Sequence, residues 1–147
     1  MNIELVKAKE TDRDFLLDLR ISSMQEHLHT AGLYLSNEEH KSRVDVHFDA
    51  SQIILKSSQR IGLLKSLETQ DNIEILQLQI LPEFQGMRIG KHIIDNIISR
   101  AKHESKKVTL KVLKENPAKH LYERLGFKVT GEDQHEFYME VSFFENG

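Results

Sequence analysis

No cysteine occurs in the 147 residues. Its absence excludes disulfides, thiolate metal sites and any cysteine-linked covalent intermediate. It also fits a reducing cytoplasm, the localisation expected here. Positive charge is not in excess: 20 Lys and Arg against 23 Asp and Glu leave a net charge of −3. No global positive field would therefore draw the chain to nucleic acid, and a mildly acidic surface is compatible with a cationic amine. No apolar run approaches the ~20 residues that span a bilayer. The opening MNIELVKAKE does not have the basic-then-apolar layout of a signal peptide. Repeats, low-complexity tracts and linkers are missing too. The expectation is one soluble domain over residues 1–147, with neither nucleic acid nor membrane as partner. Its hydrophobic fraction of 39% suffices for a two- or three-layer core.

What is present is a regular alternation of strand and helix signals. Ile3–Ala8 alternates apolar and polar and predicts a strand. Thr11 and Asp14 have capping-box spacing before a helix whose stripe is Phe15, Leu16, Leu19 and Met24. Polar Gln25–Leu35, with Gly32, predicts a loop. Ser36 and Glu39 form a second capping box, opening a helix with a thin stripe (Val44, His47, Phe48). Gln52–Ser57, Arg60–Leu67 and Ile73–Ile80 read as strands joined by short polar turns, hence antiparallel hairpins. Pro82 ends the third, since proline cannot donate to a ladder. Ile89–His103 is the clearest helix, with Ile89, Ile93, Ile94, Ile97, Ile98 and Ala101 on one face. Val108–Leu113 is a strand, Ala118–Leu125 a short helix capped by Gly126, and Phe127–Gly131 and Glu136–Phe144 the last strands. The middle forms a β-α-β unit, which favours a right-handed crossover and a locally parallel pair.

Chemistry concentrates in two segments. Leu81–Gly90, LPEFQGMRIG, is a turn, a glycine-bearing loop and the start of the long helix. It exposes backbone N–H groups at a helix N-terminus, a ready site for phosphate. Alone, the same loop also reads as a tight turn shaped by Gly86 and Gly90. One strand later comes Asn116–Phe127, NPAKHLYERLGF. Alone, its Tyr122 reads as a core aromatic with a hydroxyl at the edge.

Together the segments resemble the GNAT superfamily of N-acetyltransferases, over the stretch from Ile73 to Phe127. The resemblance implies an α/β (α+β) three-layer fold, a mixed, mostly antiparallel sheet of about six to seven strands flanked by about four helices. It implies acetyl-CoA as acetyl donor, no metal, and direct transfer to a primary amine in a ternary complex. The family's pyrophosphate loop reads Gln/Arg-x-x-Gly-x-Gly/Ala. Here it is Gln85-Gly86-Met87-Arg88-Ile89-Gly90, followed by Lys91. The first and sixth positions match, while the fourth, normally glycine, is Arg88. Left-handed geometry there would cost on the order of 1–2 kcal/mol, whereas a negative φ would cost little; the guanidinium could add a phosphate contact.

Further roles follow from the same resemblance. Leu78, Gln79 and Ile80 lie where the family's strand splays to admit pantetheine and where a backbone N–H polarises the thioester. Asn116 stands where the pantetheine arm is contacted, and Tyr122 where a phenol donates to the departing thiolate. Glu74 matches the general base of the histone-acetylating members, with Glu83 as fallback and water alone as a third route. The acceptor, a small-molecule or peptide amine, is not legible, although Gln25–Phe48, the hairpins and the last strands are expected to build its pocket. A homodimer is left open. A non-catalytic acyl-CoA sensor would share the loop and strand yet need neither Tyr122 nor Glu74, and an interaction protein whose loop binds nothing would need none of them. His27-x-His29 is too thin for a metal site. Arg100, Lys102, Lys106 and Lys107 read as a solvated group favourable to the helix dipole.

Overall fold

The computed structural model describes residues 2–143 and, for 24–27, the backbone alone. Seven strands form one sheet: β1 (Ile3–Lys7), β2 (Ser51–Lys56), β3 (Gln59–Glu68), β4 (Asn72–Ile80), β5 (Lys107–Leu113), β6 (Lys128–Glu132) and β7 (Glu136–Val141). Their order across the sheet is β1-β2-β3-β4-β5-β7-β6. All neighbours are antiparallel except β4 and β5, which the helical crossover makes parallel. The helices are α1 (Arg13–Thr30), α2 (Asn37–Asp45), α3 (Ile89–His103) and α4 (Ala118–Arg124).

Each face of the sheet has its own apolar core, giving three layers. The larger joins Ile73, Ile75, Val108 and Leu110 to the α3 stripe Ile89, Ile93, Ile94, Ile97 and Ala101, and to Tyr122 of α4. The smaller joins Ile53 and Leu63 to Leu16 and Leu19 of α1 and Val44 of α2. The β2–β3 hairpin turns through Ser57 (φ +50°) and Ser58 (φ +69°). Two consecutive positive φ values match the right-handed strand twist, here without glycine.

Three expectations on the helical layer change, the first being the end of α2: it stops at Asp45, so His47 (φ +52°) and Phe48 of its expected stripe lie beyond it. The predicted loop Gln25–Leu35 is helical as far as Thr30, so α1 is longer than its apolar stripe; Met24 and His27 lie outside the described side chains, and Phe144 outside the described residues. The cap before α1 also lies earlier: the Lys9 N–H donates to Asp12 (2.8 Å), where Thr11 and Asp14 were expected. The second capping box forms as read, with Glu39 N–H donating to Ser36 Oγ (3.2 Å) and Ser36 N–H to Glu39 Oε1 (3.1 Å).

The far end of α2 is held by a buried ammonium. Lys65 of β3 is 2% exposed. Its Nζ donates to the carbonyls of Arg43 and Val44 (both 3.3 Å) and Val46 (2.6 Å). These are the last carbonyls of a helix, which have no intrahelical donor and carry partial negative charge. Burial pulls the Lys65 pKa down to about 8, with Arg20 adding to the shift. The cluster expected at the end of α3 is paired: Arg100 (2.7 Å) and Lys106 (2.5 Å) both reach Glu68.

Gly62 is where β3 and β4 press closest. A Cβ there would stand 2.4 Å from the Gln79 carbonyl oxygen, a backbone atom unable to swing aside. Gly62→Ala is expected to destabilise the fold by about 2–3 kcal/mol through overpacking, measured as a lower urea midpoint. An unchanged midpoint would contradict the close approach.

Candidate active site

A gap opens within the sheet. β4 pairs with β5 only from Asn72 opposite Lys107 to Ile75 opposite Leu110. The β3–β4 register then shifts: Ser66 faces Ile75 but Lys65 faces Gln77, leaving Leu76 as the extra residue of a bulge. Beyond it β5 stays with β7, up to Leu113 opposite Glu136. β4 instead follows β3, up to Ile80 opposite Gly62. Among the described residues, the β5-facing edge of β4 from Leu76 to Ile80 therefore has no strand partner, and its free main-chain groups face the gap.

The loop after β4 sits at one mouth of this gap. Pro82–Phe84 makes a single 3-10 turn. Gln85 Nε2 donates back to the Ile80 carbonyl (2.9 Å), so its side chain closes the turn onto β4. Gly86 then takes φ +81° and Arg88 φ +62°. Arg88 thus adopts the left-handed geometry that favours glycine, at a cost on the order of 1–2 kcal/mol. Its carbonyl accepts from His92 N–H (3.0 Å). The N–H groups of Ile89, Gly90 and Lys91 precede that bond and have no intrahelical acceptor. A Cβ on Gly90 would meet only Ile80 Cδ1 and Leu78 Cδ2, both at 3.9 Å, so packing alone does not demand glycine there. These residues line a cavity of about 660 Å³ together with Arg124, Leu121 and Leu125.

α4 forms its inner wall. Asn116 Oδ1 accepts from Ala118 N–H (2.9 Å) and sets the start of the helix. Gly126 at φ +105° ends it, with Phe127 N–H returning to the Tyr122 carbonyl (3.0 Å). Tyr122 is 9% exposed and meets Phe127 edge-on, centroids 5.7 Å apart. Burial pushes its phenol up to about 12.

A second cavity of about 520 Å³ lies on the other side. Arg20 and Leu28 of α1, Leu33, Leu35, Arg43 of α2, Lys111 and the Asp133–Glu136 turn line it. Leu78, Gln79, Asn116 and Tyr122 line both cavities. Gln79 is 3% exposed, and among the described residues neither polar atom of its amide has a partner.

Residues 21–141 match the family described as Acetyltransferase (GNAT) domain. The chain belongs to the GNAT family. Its fold is that of solved GNAT structures. The PaiA N-acetyltransferase of Thermoplasma acidophilum, solved with coenzyme A, has a TM-score of 0.75 at 23% identity, covering 97% of this chain and 100% of that one. An acetyltransferase of Thermus thermophilus has a TM-score of 0.77 at 14% identity, covering 97% and 98%. A curated relative, the ribosomal protein bS18-alanine N-acetyltransferase of Haemophilus influenzae, is 29% identical over 75 residues. That match spans 50% of this chain and 51% of the relative, about half its length.

Most of the expected GNAT site converges. Leu78, Gln79, Ile80, Gln85, Gly86, Arg88, Ile89, Gly90, Lys91, Asn116 and Tyr122 line the larger cavity. Met87 does not; it is 48% exposed. Lys91 lends its ammonium to Asp95 (2.8 Å), one helical turn on. Glu74 lines neither cavity: it precedes the bulge, paired with Leu67 on one side and Thr109 on the other. Glu83 is exposed on the 3-10 turn and lines neither. The carboxylates that do line the smaller cavity are Asp133 and Glu136, which no local motif in the sequence marks. Asp133 spends its oxygens on His135 N–H (2.9 Å), Glu136 N–H (2.7 Å) and Tyr138 OH (2.8 Å), which hold its pKa down. Glu136 is half-buried, and burial, then Asp133, pushes its pKa up. Its position opposite Leu113 is set by strand register, a long-range feature without a local motif.

Arg88→Gly relieves the left-handed strain, with an expected gain of about 1 kcal/mol. Thermal unfolding should shift upward by a few degrees. A lower midpoint would mean that the Arg88 side chain contributes more to the fold than its backbone costs.

Proposed function

We propose that this GNAT chain is an acetyl-CoA-dependent N-acetyltransferase acting on a primary amine by direct transfer in a ternary complex. The observation that carries the reading is the shared wall: Leu78, Gln79, Asn116 and Tyr122 line both cavities, so a donor and an acceptor can meet there. The residues fit the donor. The first turn of α3 offers unpartnered N–H groups to the pyrophosphate, with Arg88 and Arg124 adding positive charge. The free edge of β4 offers main-chain groups that the pantetheine arm can join like an added strand.

Bound there, acetyl-CoA supplies an acetyl group on a thioester whose thiol titrates near ~8.5. An N–H of the Leu78–Ile80 segment polarises the carbonyl. At about 12, the Tyr122 phenol keeps its proton and donates a hydrogen bond to the leaving sulfur, because that thiolate is the weaker base. Glu136 replaces Glu74 as the group that accepts the amine proton, directly or through water. Its raised pKa makes it the better base of the two cavity carboxylates. Holding both reactants at one wall supplies further rate through proximity.

Calorimetric titration with acetyl-CoA, CoA and dephospho-CoA tests the donor site; micromolar binding is expected. An amine screen by product mass then tests transfer. Tyr122→Phe should lower kcat about 100-fold with the CoA Kd unchanged. Glu136→Gln should lower kcat and remove the acid limb of its pH profile, since the carboxylate works only above its raised pKa. CoA binding without turnover of any amine would identify a sensor instead, and no binding by folded protein would remove the reading.

A further inference from the structure

We infer that the acceptor amine carries an anionic group, a carboxylate or a phosphate, held by the Arg20–Arg43 pair at the acceptor-side cavity. The inference rests on the acetyl-transfer reading and names the class of its substrate.

Arg20 is 6% exposed, which is unusual for a guanidinium without a carboxylate. Among the described residues its side chain has one hydrogen-bond partner, a neutral one: Nε donates to His40 Nδ1 (3.1 Å). Among the described residues neither Arg20 nor Arg43 has an ion pair. Arg43 is felt by the Glu39 and Glu136 carboxylates without an ion pair to either, and toward Arg20 it is a like charge. Burial first, then Arg43, pulls the Arg20 pKa down to about 10. A buried charge facing a like charge is costly unless something of opposite sign joins it. Both side chains line the cavity, so the missing partner has room to come from a ligand. The planar fork of a guanidinium matches the oxygens of carboxylate and phosphate.

Two further features fit the same ligand. The Gln79 amide, buried and among the described residues without a partner on either polar atom, lines this cavity where it meets the donor site. Glu136, the carboxylate not consumed by the turn, supplies the opposite charge for an ammonium. The cavity is therefore bipolar, suited to an amine and an anion on one molecule. Its volume, about 520 Å³, is that of a small-molecule site. A polyamine would bring a second cation against the arginines.

The test uses matched pairs: alanine and phenylalanine against their α-amides, and O-phosphoethanolamine against ethanolamine, with spermidine and an alanine tripeptide amide as other classes. Product formation gives kcat/KM, and calorimetry on the CoA-saturated protein gives acceptor binding. The anionic member of at least one pair should be favoured about tenfold or more, as expected for hydrogen bonds to a charged group. The pair that shows it tells carboxylate from phosphate. Arg43→Gln, at an exposed position, should bring that ratio close to one, mainly through KM, and Arg43→Lys should restore part of it. Equal or better use of the neutral, polyamine or peptide acceptors overturns the inference, as does a preference that survives Arg43→Gln. So does CoA binding without binding or turnover of any anionic amine, which leaves the donor site standing. Failure to bind CoA removes the acetyl-transfer reading instead.

Discussion

Pairing between the two parallel strands stops after Ile75 and Leu110, and the rest of the molecule is arranged around that stop. A sheet normally satisfies its main-chain groups by continuing the ladder. Here the Leu76 bulge turns β4 away with β3, while β5 stays with β7. The separated strands β4 and β5 pack on one core against α3, and β3, which carries β4 along, also packs on the second core against α1 and α2. The unpartnered edge belongs to a strand backed by packed helices, so a ligand can bind it without first ordering a loop. Both cavities are the two mouths of this single gap.

The helical layer on the acceptor side is fastened polar group by polar group. α2 has a thin apolar face, with His40 and Val44 its buried residues. The capping box fixes one end and the Lys65 ammonium the other. The Arg20–His40 hydrogen bond ties α1 to the same helix. Hydrophobic burial alone would leave so polar a helix weakly placed. Directional bonds in a water-poor site fix it more tightly.

Much of this architecture was legible from periodicity. The α3 stripe, the alternating strands and the Ser36–Glu39 box all came out where local pattern put them, because each depends on near neighbours in the chain. The loop and Tyr122 segments were legible as a pair and do converge. The failures share a cause: they depend on partners distant in sequence. α1 runs past its stripe to Thr30 because packing against α2 and the sheet decides its length, not its polar residues. Strand register likewise decides which carboxylates reach the cavities: it sets Glu74 before the bulge and Glu136 opposite Leu113. Arg20 and Arg43 are ordinary helix residues until the fold puts them on one cavity.

The two mouths are built from different parts of the chain. Beyond the wall they share, the larger cavity is completed by the loop and α3–α4, and the smaller by α1, α2, the segment between them and the β6–β7 turn. Because Lys65 moors α2 directly to the sheet, the rim residues Leu33 and Leu35 hang between two fixed points. Substitutions in that span can reshape what the acceptor mouth admits while the donor mouth keeps its form. Separate supports thus let one mouth be altered in small steps, each selectable without a loss at the other.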